Sequence, residues 1–472
     1  MNLQNRLRGG GVLAAAGLAA ALLVGSIQPS DAGLFSWMKG GQGNPDSGNS
    51  GGYNGNSGGS NGGGLFGGQG GGLFGGGQRQ PQQPGSRAFH GDELPPEEGN
   101  AATQAWITNP ALGTPTLSSG NIAATKAAIQ RYQGIVAQGG WPMVPATVMK
   151  PGSNGQAIAT LQRRLEVSGD LVGRSVPGEY DAAVVAAVKQ FQARHGLPPT
   201  GVIDNRATID ALNVPAVIRL AQLQASLKRL QALAPSAPAR YVVVNIPAAQ
   251  VEAVESGQVA QRHAAVVGKP ERPSPELSSK IQEINFNPYW YVPKSIIYKD
   301  LVPKAREFTR RGQDFLTAYH MQAFDTAGNP IDGRQINWNG TEVYNYQFRQ
   351  LPWTENSLGF IKINFPNKDS DYMHDTPLKS LFGRAERFDS SGCVRVHNVE
   401  TLTAWILRDT PGWDINRIHS MKQTGEQIDV KLNKPIPVYF AYISAWGLPD
   451  GSVQFRPDIY NQDGGATTAS AY

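Results

Sequence analysis

Cysteine is almost absent from this chain: the 472 residues include one, Cys393. A single thiol cannot pair within the chain, so a disulfide scaffold is excluded. Charge is sparse, at 17% Asp, Glu, Lys and Arg, with a formal net charge of +5. The basic residues do not cluster as in a nucleic-acid arm. The mild excess permits a polyanionic partner without demanding one. No glycine-rich phosphate loop falls between a strand and a helix, so nothing in the pattern asks for a nucleotide. Collagen is excluded because the glycines have no triplet period.

Glycine itself is abundant but local. Of the 56 glycines, 20 fall between Gly40 and Gly77, where Asp46 is the only charge. Residues 33–100 cannot bury enough apolar surface to offset their ordering entropy and are expected to form a disordered tether. Its r.m.s. span would be about 45 Å. The repeated Leu-Phe pairs at 65–66 and 73–74 read as spacer residues or as weak docking points. Ahead of it, Arg6 and Arg8 precede an apolar run from Val12 to Ile27, and Ser30-Asp31-Ala32 offers small residues for cleavage. Residues 1–32 therefore read as a secretory signal peptide, the run being shorter than the ~20 residues of a spanning helix. The expectation is an exported protein with no membrane anchor after cleavage. A lone thiol in an oxidising compartment then needs a reason.

The remainder divides by texture. Residues 101–149 form a helical scaffold segment, with a helix over Asn121–Gln138 broken by Gly139-Gly140. Residues 150–213 read as a compact helical unit. Ile158, Leu161 and Leu165 share one helix face, Asp181 caps a second helix carrying Val184, Val188 and Phe191, and Asp204 precedes a third. His195 reads as a turn residue rather than a metal ligand. Residues 214–238 connect onward through one helix, too short for a coiled coil. Runs such as Tyr241–Pro247, His263–Gly268, Ile281–Trp290, Phe360–Phe365 and Pro437–Trp446 are β-branched and aromatic. They predict a mostly antiparallel sheet domain over 239–447, interrupted by a more polar insertion at about 295–345 that suits a lid. Residues 448–472 are left as a C-terminal tail. The fold class is α+β and multidomain.

His374 lies nineteen residues before Cys393. A thiol becomes a good nucleophile when a base takes its proton, and His374 is the natural base; His397 competes from a less suitable place. Gly392 allows unusual dihedrals, and the amides around Gly392 and Cys393 suit an oxyanion site. Arg395, two residues on in an extended segment, shares the cysteine's side and suits a substrate carboxylate. On this chemistry alone, a buried structural cysteine beside an unrelated histidine reads the residues equally well.

The run HDTP…F……SSGCVRV closely resembles the active-site motif of the L,D-transpeptidase (YkuD-type) catalytic domain. FNPYWYVP at 286–293, FPN at 365–367 and PVYFAYISAW followed by FRPDIY are similar to the larger, periplasmic branch of that family. The pattern FQ..HGL..TG.ID resembles the small peptidoglycan-binding domain found beside many wall enzymes. The resemblance implies a β-sandwich-like catalytic domain, a capping insertion and no cofactor or metal. It implies that Cys393 attacks the bond between the diamino acid and D-Ala of a tetrapeptide stem. His374 serves as base and acid, oriented by the Asp375 backbone carbonyl rather than its side chain. The Gly392 amide and the Tyr372 hydroxyl are oxyanion candidates, and Arg395, Ser391 and Trp290 are candidate substrate-binding positions. Many relatives have histidine where this chain has Ser391, which removes a second base. Peptidoglycan stems are the implied donor and acceptor, in the periplasm. Hydrolysis of the same thioester, transfer to a wall-anchored protein, and non-catalytic wall tethering are the competing readings.

Overall fold

The computed structural model describes residues 101–464. The expected signal segment, the glycine-rich tether and residues 465–472 lie outside the described residues. No helix among the described residues is long and apolar enough to cross a membrane.

The first half is helical. Helices α1 (Ala101–Thr108) and α2 (Ser119–Ala137) lead into a unit of α3 (Gln156–Ser168), α4 (Ala182–Arg194) and α5 (Arg206–Asn213). Asp181 caps α4 by accepting from the Val184 amide at 2.9 Å, satisfying a donor the helix itself cannot. Asn205, which follows Asp204, caps α5, accepting from Thr208 N at 2.9 Å. Ile158, Leu161, Leu165, Val184, Val188 and Phe191 form the unit's core. His195 is buried there, with its ring stacked on Phe191 and Phe455. Helix α6 (Ala216–Leu233) buries Leu223 and Leu230, but also Gln222 and Ser226. These polar residues face the C-terminal strands: Ser226 Oγ accepts from Ala445 N at 3.1 Å and Gln222 donates to Arg456 O at 3.0 Å.

The second half is a sheet that closes on itself. In chain order the strands are β1 (Arg240–Asn245), β2 (Gln250–Glu255), β3 (Gln258–Gly268), β4 (Leu277–Phe286), β5 (Trp290–Tyr291), β6 (Met321–Phe324), β7 (Pro330–Ile331) and β8 (Gln347–Gln350). They continue with β9 (Ile361–Asn364), β10 (Met373–His374), β11 (Phe388–Ser390), β12 (Val394–Val396), β13 (Ile428–Ala441), β14 (Ala445–Gly447) and β15 (Val453–Phe455). The large sheet runs β11-β3-β12-β10-β9-β4-β13-β1-β2, and β2 pairs back onto β3. Three pairings are parallel (β1–β13, β10–β12, β11–β3) and the rest antiparallel, so the sheet is mostly antiparallel as expected. Its dry core takes the inward residues together with α10 (Val399–Leu407) and α11 (Ile415–Thr424).

Between β5 and β9 the chain builds a second body. It holds α7 (Lys294–Ile296), a π-helical turn (Ile297–Leu301), α8 (Val302–Arg310), α9 (Phe315–Ala318) and the small sheet β5-β8-β6-β7. Its own core includes Trp290, Leu301, Val302, Phe315, Trp338 and Phe348. The polar, irregular texture expected at 295–345 therefore covers a folded unit. Its strands of two to four residues are too short to display periodicity.

Candidate active site

Three short strands, β12, β10 and β9, lie side by side and carry the site. Pleating sends alternate residues to opposite faces. Ile361, Ile363, Met373, Val394 and Val396 point into the core. Lys362, Tyr372, His374, Cys393 and Arg395 therefore share the other face. The register places His374 between Arg395 on β12 and Lys362 on β9. Val394 N donates to Tyr372 O at 3.0 Å, which sets Cys393 beside Tyr372. The Tyr372 ring meets His374 edge-on at 5.6 Å, and Lys362 Nζ lies 4.4 Å from the Tyr372 ring centre. Tyr372 also packs against the core of the insertion, and the Trp290 indole stands within hydrogen-bonding reach of it.

The loop before β12 is tied on every side. Gly392 has φ +121°, a region L side chains rarely adopt, and a Cβ there would come 2.8 Å from Asp371 Oδ1. Gly392 O accepts from Ser274 Oγ at 2.5 Å, and Gly392 N donates to Ser390 Oγ at 3.3 Å. Ser390 Oγ donates in turn to Cys393 O at 2.5 Å. Ser391 Oγ accepts from Arg272 at 2.9 Å, and Arg272 forms a two-pronged ion pair with Asp300 of the insertion. The segment expected to be a tail contributes too: Tyr460 stacks on Tyr442 and its hydroxyl donates to Gly268 O at 2.5 Å.

His374 Nδ1 contacts the Asp375 carbonyl oxygen at 2.5 Å. The Asp375 carboxylate is turned elsewhere, accepting from Phe360 N at 3.3 Å and pairing with Lys379. Among the described residues, no hydrogen bond joins His374 to Cys393. The partly buried thiol instead meets Asp371, Sγ to Oδ1 at 3.3 Å. His397 rests against Phe382, at 5.1 Å between rings.

Burial holds the thiol and the imidazole of the resting site uncharged. Burial pushes the Cys393 thiol up, and the Asp371 charge adds to this. Burial, then Arg395 and Lys362, push His374 down to about 3 against the pull of the Asp375 carbonyl. Burial raises Asp371 to about 6, with Asp369 adding to it and the Cys393 thiol opposing. Burial also lowers Lys362 and Arg395 and raises Tyr372. The site thus holds a protonated thiol beside a neutral imidazole.

Sequence reasoning missed Asp371, Lys362 and Arg272. Strand alternation counted back from His374 would have exposed Lys362 once β9 was paired with β10. Arg272 gave no local signal, since its contact with Ser391 is 119 residues away along the chain.

Residues 239–416 match the family model described as "L,D-transpeptidase catalytic domain", and residues 154–212 match "Putative peptidoglycan binding domain". Residues 239–416 are thus similar to L,D-transpeptidase catalytic domains. A Haemophilus influenzae protein named "Putative L,D-transpeptidase" is 30% identical over 223 residues, 47% of this chain and 44% of that protein. The chain thus spans less than half the length of the curated relative it matches. A solved L,D-transpeptidase from Xylanimonas cellulosilytica is 17% identical over 63% of this chain and 98% of its own, with a TM-score of 0.21. One from Stackebrandtia nassauensis is 14% identical over 62% and 94%, with a TM-score of 0.24. Superpositions this loose carry no weight on the site. Every residue gathered around the thiol lies inside the matched segment 239–416. Its sheet nevertheless needs β13, beyond residue 416, to join β4 to β1.

Proposed function

We propose that this protein is a cysteine-dependent L,D-transpeptidase acting on peptidoglycan stems outside the cytoplasm. The observation that carries it is the shared polar face, where His374 and Arg395 stand on adjacent strands and Tyr372 and Cys393 immediately precede them. In this reading the Cys393 sulfur attacks the carbonyl carbon between the diamino acid and the terminal D-Ala of a tetrapeptide stem. His374 Nε2 takes the thiol proton and returns it to the D-Ala nitrogen as that C–N bond breaks. A thioester is left. The side-chain amine of a second stem then attacks the same carbon, its proton passes back through His374, and the thiol is regenerated with a 3→3 cross-link formed. The Asp375 carbonyl keeps the Nδ1 proton in place, which leaves Nε2 as the accepting nitrogen. The Tyr372 hydroxyl and the Gly392 and Cys393 amides surround the developing oxyanion. Of these, the Gly392 amide must leave Ser390 Oγ first. Ser391 braces the loop through Arg272, Arg395 faces a stem carboxylate, and Trp290 backs Tyr372.

Intact mass measured after incubation with a purified disaccharide-tetrapeptide tests this. The expected result is an adduct on Cys393 equal to the stem less D-Ala, with free D-Ala and cross-linked dimers. Shortened stems without dimers would make it a hydrolase. An unmodified Cys393 with no D-Ala would sink the proposal. Dimers absent but stems coupled to a wall protein would redirect the acceptor.

A further inference from the structure

Two cations beside the thiol have no anionic partner: Lys362 rests on the Tyr372 ring, and Arg395 has no carboxylate against it. Among the described residues, neither Arg395 nor Lys362 has a side-chain hydrogen bond or an ion pair. Arg395 is 5% exposed, and burying an uncompensated guanidinium is costly. Asp389 is the carboxylate whose field reaches it, and Glu283 and Asp429 are those that reach Lys362, none of them close enough to pair. Both cations are register neighbours of His374, one on each side, and strands lie ~4.8 Å apart. They bracket the imidazole on the face that bears Cys393.

We infer that Lys362 and Arg395 together form a carboxylate site that selects donor stems ending in a free α-carboxylate next to the scissile bond. The inference rests on the transpeptidase reading, because it starts from the position of the leaving amine. That amine must come to His374 to be protonated. In a stem that ends at the fourth residue, the carboxylate sits one carbon from the amine, which places it between the two cations. In a longer or amidated stem the same position holds a neutral amide, and both cations stay unpaired. The incoming amine must occupy the same place. Where the diamino acid is a dicarboxylic one, the entering amine also carries a carboxylate on its own carbon, and one site then serves both the leaving and the entering group. A site built to pair with a group rejects analogues lacking it far more strongly than an apolar pocket rejects a methylene. Lys362 is thus a specificity-determining residue that the Cys-His-Arg motif does not contain.

The test compares two synthetic disaccharide-tetrapeptides, one ending in D-Ala carboxylate and one in D-alaninamide, by kcat/KM for thioester formation. The wild type should prefer the carboxylate by about 30-fold or more. Lys362→Met should lose most of that preference by slowing on the carboxylate alone, whereas Lys362→Arg should keep it. Alkylation of Cys393 by neutral iodoacetamide in each variant reports on the thiol independently. Equal loss on both substrates in Lys362→Met, matched by slower alkylation, would overturn the inference and make Lys362 a tuner of the thiol. Equal wild-type rates on both substrates would overturn it while leaving the transpeptidase intact. No thioester from either substrate would remove both readings.

Discussion

Strands β9, β10 and β12 have two faces made by the same few residues. The inward face, Ile361, Ile363, Met373, Val394 and Val396, is wholly dry. The outward face alternates with it and holds Lys362, Tyr372, His374, Cys393 and Arg395. The inward residues fix the backbone, and the backbone fixes the spacing of the outward ones. β10 is only two residues long, yet it is pinned on both sides, antiparallel to β9 and parallel to β12. Chemistry and stability are therefore separable here at single-residue resolution, and substitutions on the two faces should fail in different ways.

The largest effect belongs to the outward face. Cys393→Ala should lower D-Ala release by about 10³-fold or more, since a nucleophile has no substitute. Its melting temperature should stay near wild type, because the side chain is small and only partly buried, and alanine leaves little unfilled. Ile363→Ala, one strand over and pointing inward, should do the reverse. It should cost about 2–5 kcal/mol in denaturant unfolding, while the fraction that stays folded keeps its thioester chemistry. A Cys393→Ala protein that is also grossly destabilised, or an Ile363→Ala protein as stable as wild type, would erase the separation.

A smaller effect sharpens it. His374 is on the chemical face but is buried, so it should also leave a mark on stability. Its folded pKa of about 3 lies below the ordinary 6.5. Above pH 6.5 the imidazole is neutral in both states. As pH falls below that, the unfolded chain binds a proton that the folded one refuses, and the stability this site contributes above pH 6.5 is lost. Between pH 7 and pH 5 the loss approaches about 2 kcal/mol. Asp371, raised to about 6, works in the opposite sense over the same interval, taking up its proton in the folded state first. His374→Gln leaves Asp371 in place. The variant's stability should therefore fall less than the wild type's over this interval, measured by urea unfolding at both pH values. Parallel curves would mean that His374 is hydrated.

How much of this was readable beforehand follows from distance along the chain. Asp181 as a helix cap and Ile158, Leu161 and Leu165 as a helix face are local signals, and both hold. Cys393, His374 and Arg395 were legible as residue types at a spacing, and the parallel pairing of β10 with β12 supplies the proximity that spacing alone left open. The insertion was not legible as a folded body, because strands of two to four residues carry too few alternations to stand out from a polar loop. β2 escaped notice because Gln250–Glu255 mixes two glutamates into a run that is buried at Glu252, where Arg262 and Thr116 satisfy the carboxylate. Lys362 was hidden by its place inside an apolar strand run, and its meaning depends on a partner strand rather than on its neighbours.

Asp371 gives the finest division, because it lies just outside β10, where the chemical face ends. Its carboxylate faces the thiol at 3.3 Å, and a negative charge there makes forming a thiolate harder. Above about pH 6 it is ionised and restrains Cys393; below that it is neutral and does not. Asp371→Asn keeps the shape and removes the charge. Alkylation of Cys393 by iodoacetamide at pH 8 should then speed up several-fold, with the thiol's titration midpoint shifted down. At pH 5, where the wild-type carboxyl is already protonated, the two proteins should react at similar rates. Slower alkylation in the variant at pH 8 would instead make Asp371 the group that draws the proton from sulfur, and His374 would be left with the leaving amine alone.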